Sequence, residues 1–216
     1  MPVNLSLELR QQTSELHRTV ESRPFMVALL EGQLSQNAYC MMLRNLEPVY
    51  SALESALNLN LGRSAIAGLN LPNFYRASSL QADLQALHGS PWQSDLALLP
   101  ACVAYCSHLE VLGRQSPDLL VAHAYVRYLG DLSGGQMIQK ILAKSWNMQV
   151  LRGSPGLRFY DFGEPESVSH HTKEFRAKLD AMSVNVGLVS ALVQEAKLAF
   201  EMHITLYDEL GASLRT

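Results

Sequence analysis

Apolar residues recur along this chain at spacings of three and four, and strict two-residue alternation never runs far enough to support a half-buried strand. That property restricts the chain to packed helices. At 216 residues one domain is expected, long enough to bury a core without staples. The pattern predicts a first helix over 4–22, stopped by Pro24, and a second over about 35–58 with Ser35 as its N-cap. Pro48 lies inside the second and should kink or split it. Gly62, Gly68 and Pro72 mark 59–76 as a loop with at most a short helical turn, and helices follow at about 77–88 and 99–114. Ser116-Pro117-Asp118 reads as a start signal: Ser as N-cap, Pro at the first helical position, an acid in the first turn. The helix it opens should reach about 148; a Gly/Pro-rich connection over 151–165 then leads to two closing helices, about 166–182 and 186–211. No internal repeat interrupts this order. The expectation is one all-α domain of about seven helices over residues 1–216.

Charge excludes some functions. Charged residues make up 17% of the chain, the net charge is −3 and no block of like charge occurs, so the basic footprint of a nucleic-acid binder is missing. The longest apolar-rich run, 96–106, is broken by Pro100 and falls far short of the roughly 20 residues a bilayer span needs. The N-terminus carries Glu8 and Arg10 and lacks the apolar stretch of a signal peptide. Cys40, Cys102 and Cys106 form no CxxC and no even framework, which points to reduced thiols and a cytoplasmic setting. A soluble protein without a membrane anchor is expected.

Within the predicted helix to 148, residues 129–136 read LGDLSGGQ, with Gly130, Gly134 and Gly135 where each costs about 0.8–1 kcal/mol relative to Ala. The letters LSGGQ also occur in ABC-type ATPases. Those need a phosphate-cradling GxxxxGK[ST] loop between strand and helix, and this chain has neither. Close helix–helix approach would explain Gly130 and Gly134, which share a face, but not the interleaved Asp131 and Ser133. Polar side chains beside bare backbone suggest a ligand surface. On the first helix Arg10, Ser14, His17 and Glu21 make one polar stripe. Arg10 stands about 10 Å along it from His17. Glu21, one turn beyond His17, could accept its other N–H.

The segment YVRYLGDLSGGQ (125–136), preceded by LLVAHA, resembles the signature of haem oxygenases of the animal, cyanobacterial and biliverdin-forming bacterial type. LRQQTSELHRTVES (9–22), FMVALLEGQLS (25–35), VYSALESAL (49–57), HGSPW (88–92) and EAKLAFEMHITLYDEL (195–210) resemble family segments in the expected order, so the likeness covers nearly the whole chain. It implies haem, as substrate and cofactor, held between the first helix and a kinked Gly-rich distal helix. His17 would be the axial ligand with Glu21 behind it, and Gly130, Ser133 and Gly134 would line the distal face. Arg10, Tyr125, Lys173 and Arg176 would meet the propionates. Asp131 would organise distal water for proton delivery, its network held by Tyr50 and Arg127, and cleavage at a meso carbon, expected to be α, would give biliverdin, ferrous iron and carbon monoxide.

The family pattern is not kept everywhere. Ser14 and Thr172 stand where many members carry a base, His203 where Asn is common, and Pro48 where a helix is usually uninterrupted. His203 fits a buried structural role better than a distal polar one, and His88, His108, His123, His170 and His171 have no assigned role. The resemblance further implies an electron donor, a ferredoxin or flavoprotein reductase. It leaves chromophore supply to an acceptor such as a phytochrome-like photoreceptor, or iron release, as the purpose, with a monomer expected. Two other classes stay open on sequence: a non-catalytic haem carrier on the same fold, and a helical interaction module whose glycines serve packing.

Overall fold

The computed structural model describes residues 4–69, 71–149, 152–182 and 184–214, and among them no strand occurs. Seven long helices carry the fold: α1 (Leu5–Glu21), α3 (Gln36–Leu59), α5 (Ala77–Leu87), α7 (Pro100–Gln115), α8 (Leu120–Ser145), α9 (Pro165–Asp180) and α10 (Val186–Ser213). Three short ones, α2 (Pro24–Leu30), α4 (Ser64–Ala67) and α6 (Trp92–Asp95), bring the described α-helices to ten rather than about seven. The pattern passes over α2 because about two turns show too few apolar repeats, although Pro24 at its first position is a start signal.

Of the two expected effects of Pro48, a split does not occur, since α3 runs through it as one helix. The start of α8 differs from the expectation. Ser116 makes no side-chain cap; Pro117–Leu119 form a 3-10 turn and α8 begins after it. The acid of the start signal is engaged elsewhere, since Asp118 accepts Arg63 Nε and Nη2 at 2.6 and 2.7 Å. Ser35 does cap α3, its hydroxyl accepting Ala38 N–H at 3.1 Å.

One apolar core spans the elements. α3 packs between α5 and α7, while α10 packs on α1, α2, α7 and α8. Asp83 of α5 accepts the backbone N–H groups of Arg158 and Phe159 at 2.9 and 2.8 Å. This ties down the connection that carries Tyr160, which lies against α8 at Gly135. The result is a fixed α8 facing α1 across a cleft, with α10 as its floor.

Candidate active site

The cleft has two continuous parts of about 300 Å³ each, sharing His17, Val126, Gly130, Ser133 and Phe200. The deeper part is walled by Val20, Met26, Leu30 and Phe200 and reaches Arg127, Asp131 and His203. The other opens past Arg10, Thr13, Ser14, Tyr125 and Arg176. One end is therefore apolar and the other basic.

His17 projects from α1, 54% exposed, with its ring edge against Phe200 at 6.0 Å. Its Nδ1 lies 3.6 Å from Glu21 Oε2, a helical i,i+4 pair slightly beyond hydrogen-bond length. Opposite it, α8 presents bare backbone. A Cβ built on Gly130 or Gly134 would meet no atom within 4 Å, whereas one on Gly135 would come within 2.9 Å of Tyr160 Cδ1. Gly135 is thus a packing glycine. Gly130 and Gly134 face open space, so helix–helix approach does not account for them.

Behind these glycines lies a buried polar network. Tyr50 of α3 donates its hydroxyl proton to Asp131 Oδ2. Arg127 Nε and Nη2 donate to the Tyr50 hydroxyl at 2.8 and 2.6 Å, and Nη2 lies 3.4 Å from Asp131 Oδ1. Arg127 Nη1 donates to His203 Nε2 at 2.6 Å. A guanidinium only donates, so His203 accepts at Nε2 and carries its proton on Nδ1, which donates to Ala199 O at 2.8 Å. Burial, then the Arg127 charge, holds His203 well below the usual imidazole range, so it stays neutral. Burial pushes the Asp131 carboxyl up, against the opposing pull of Arg127 and the Tyr50 hydrogen bond. His203 both lines the cleft and holds Arg127, so a distal polar role and a buried structural one coincide in it.

Of the residues singled out from sequence, His17, Glu21, Gly130, Ser133, Gly134, Arg127 and Asp131 converge on the deeper part. Arg10, Tyr125 and Arg176 gather at the basic mouth. Tyr50 stands behind, touching the cleft only through Asp131 and Arg127. Lys173 is exposed on α9 and lies outside the lining of both parts. Phe200, Val20, Met26 and Tyr160 also line the cleft, and the sequence offered no signal for them beyond apolar spacing. Such a slot suits a flat, largely apolar ligand with a metal atom to meet an imidazole and anionic groups at one edge.

The family model described as "Heme oxygenase" matches residues 3–209. This chain belongs to the haem oxygenase family. It is 33% identical over 210 residues to the heme oxygenase of Rhodella violacea, covering 97% of this chain and 88% of that one. Human heme oxygenase 1 is 33% identical over 211 residues, covering 97% of this chain and 73% of the human one. The crystal structure of heme oxygenase-1 from the cyanobacterium Synechocystis sp. PCC6803 in complex with heme superposes with a TM-score of 0.90 at 31% identity, covering 99% of this chain and 95% of that chain. Membership of that family, carried by the full-length match and relatives at 33% identity, makes this chain an oxidoreductase, and no described helix is long and apolar enough to cross a membrane.

Proposed function

We propose that the cleft between α1 and α8 binds haem and that the chain cleaves it at the α meso carbon to biliverdin, ferrous iron and carbon monoxide, using oxygen and electrons from a ferredoxin or flavoprotein reductase. The observation that carries this reading is the open space over Gly130 and Gly134, set across the cleft from an exposed His17. The residues fit the group. A Cβ at either glycine would intrude where a macrocycle would lie, the walls are apolar, and cations stand where its two carboxylates would emerge.

His17 would ligate the iron through Nε2, since Nδ1 is directed at Glu21. Arg10, Arg176 and Tyr125 would hold the propionates and so set which meso edge points inward. Bound haem supplies the redox chemistry, being cofactor and substrate together. The protein supplies shape and protons. Gly130 and Gly134 would leave room for oxygen under α8. Asp131 would bind ordered water, with Tyr50 and Arg127 fixing the carboxylate, so that protons arrive through water. The Arg127 cation is committed to Tyr50, His203 and Asp131, which keeps a strong direct donor away from the reacting oxygen. We read the protein as a cytoplasmic monomer that serves either to supply biliverdin to an acceptor such as a phytochrome-like photoreceptor or to release iron from haem.

The test is turnover of the hemin complex with ascorbate or a ferredoxin system in air, with extraction of the pigment. The α isomer of biliverdin with one equivalent of carbon monoxide is the expected result. Stable binding without pigment would make the chain a haem carrier, and no binding would return Gly130 and Gly134 to an unexplained role.

A further inference from the structure

Away from the cleft, three helices bring together His108 of α7, His123 of α8 and Glu195 of α10. Their ligand-type atoms all lie within 4.8 Å of one another. Glu195 Oε1 accepts both imidazoles: His108 Nε2 stands at 2.6 Å and His123 Nε2 at 2.8 Å. The carboxylate cannot donate, so both Nε2 atoms carry the proton here. The second nitrogen of His123 is also engaged, its Nδ1 accepting the Tyr105 hydroxyl at 2.9 Å. His123 is fully buried and Glu195 is 11% exposed, while His108 at 26% leaves an approach from solvent.

We propose that His108, His123 and Glu195 form a binding site for a divalent first-row transition metal, zinc foremost. The proposal does not depend on haem. Two imidazoles and one carboxylate are a donor set of borderline softness, suited to zinc, cobalt or ferrous iron rather than to calcium or magnesium, which take oxygen ligands. Bonds of about 2.0–2.1 Å in tetrahedral arrangement put ligand atoms roughly 3.3 Å apart. Each imidazole nitrogen therefore has to draw back from Glu195 Oε1 by less than an ångström, while the two nitrogens, within 4.8 Å of each other, settle to that same spacing, to admit an ion. Each imidazole moves its proton from Nε2 to Nδ1 as Nε2 turns to the metal. His123 then donates to the Tyr105 oxygen where it now accepts, so the outer partner that fixes a ligating imidazole is already in place. No net proton, bond to carbon or electron is exchanged. The carboxylate's negative charge, now shared by two hydrogen bonds, would meet a dication, with a fourth position left open toward the His108 side. The ion would join α7, α8 and α10, the last two of which carry Arg127, Asp131 and His203.

Cobalt(II) titration of chelator-treated protein, read by its visible ligand-field absorption, tests the site. The account expects one equivalent, with the same stoichiometry when hemin already fills the cleft and in His17→Ala. His108→Ala, with its helical circular dichroism intact, should abolish the absorption, and Tyr105→Phe should weaken binding about 10-fold. Zinc at about 100 times its dissociation constant should raise Tm by roughly 5–10 °C in wild type and not in His108→Ala. No cobalt absorption, or absorption that survives His108→Ala or is lost in His17→Ala, overturns the proposal.

Discussion

Gly134 and Gly135 are chain neighbours with different surroundings: a Cβ on Gly135 would stand 2.9 Å from Tyr160 Cδ1, and one on Gly134 would meet nothing within 4 Å. Packing thus occupies one glycine of the pair and leaves the other facing open space. Gly130→Ala and Gly134→Ala should each stabilise the haem-free protein by up to about 1 kcal/mol, because Ala is the better helix former. The same variants should slow biliverdin formation about 10–100-fold by displacing the reacting groups. Gly135→Ala should instead cost about 1–3 kcal/mol as Tyr160 is forced aside. Denaturant unfolding beside single-turnover rates separates the two classes. Destabilisation by Gly134→Ala would show that its open face is filled in solution.

Asp131→Asn keeps the shape of the side chain and removes the carboxylate that accepts from Tyr50. Hemin affinity should stay within a few-fold of wild type, while biliverdin yield falls about 100-fold or more. Optical spectra through one turnover in air measure both. Wild-type yield in this variant would remove Asp131 from proton delivery.

Arg10 and Arg176 stand at the basic mouth of the cleft on different helices. Replacing either by Ala should weaken hemin binding about 3–10-fold, consistent with loss of one charge-assisted contact. It should also yield biliverdin isomers besides α, since the haem loses one of the contacts that fix its rotation. Chromatography of the extracted pigment checks the second point, and a pure α product from both variants would leave orientation to the apolar walls.

Burial pushes the Asp83 carboxyl up to about 6, although Arg158 and Phe159 N–H groups favour its charged form. The folded state then binds this proton more tightly than the unfolded chain does. Asp83's contribution is therefore largest below its ordinary pKa and is lost as pH rises through about 6. The full loss is about 3 kcal/mol, of which about 2 falls between roughly pH 4 and 7. Urea unfolding of wild type against Asp83→Asn should show their difference shrinking by that amount over the interval. A constant difference would mean that Asp83 is ionised throughout.

Much of the fold was legible because the long helices carry their own apolar stripes, and Ser35 marks the start of α3 where the structure places it. The start of α5 was legible only as a break in pattern, and that of α7 also as Pro100 at its first position. Their first N–H groups are met from a distance, Arg76 and Ala77 N–H by Glu54 Oε1 and Ala101 N–H by Glu209 Oε2. Local sequence does not show such caps. The cleft's polar residues were legible through the motif around Asp131 and the stripe bearing His17. The part played by His203 was not, because it depends on Arg127 reaching α10 across the core. The cluster of His108, His123 and Glu195 escaped for the same reason, being one residue from each of three helices.

The central claim is that haem sits between His17 and the bare face of α8, and hemin titration of wild type and His17→Ala tests it most directly. The account predicts a one-to-one wild-type complex with a histidine-ligated Soret spectrum. In His17→Ala that spectrum should be lost, then restored by added imidazole occupying the vacated position. An unchanged Soret spectrum in His17→Ala, or wild-type protein that takes up no hemin, would contradict it.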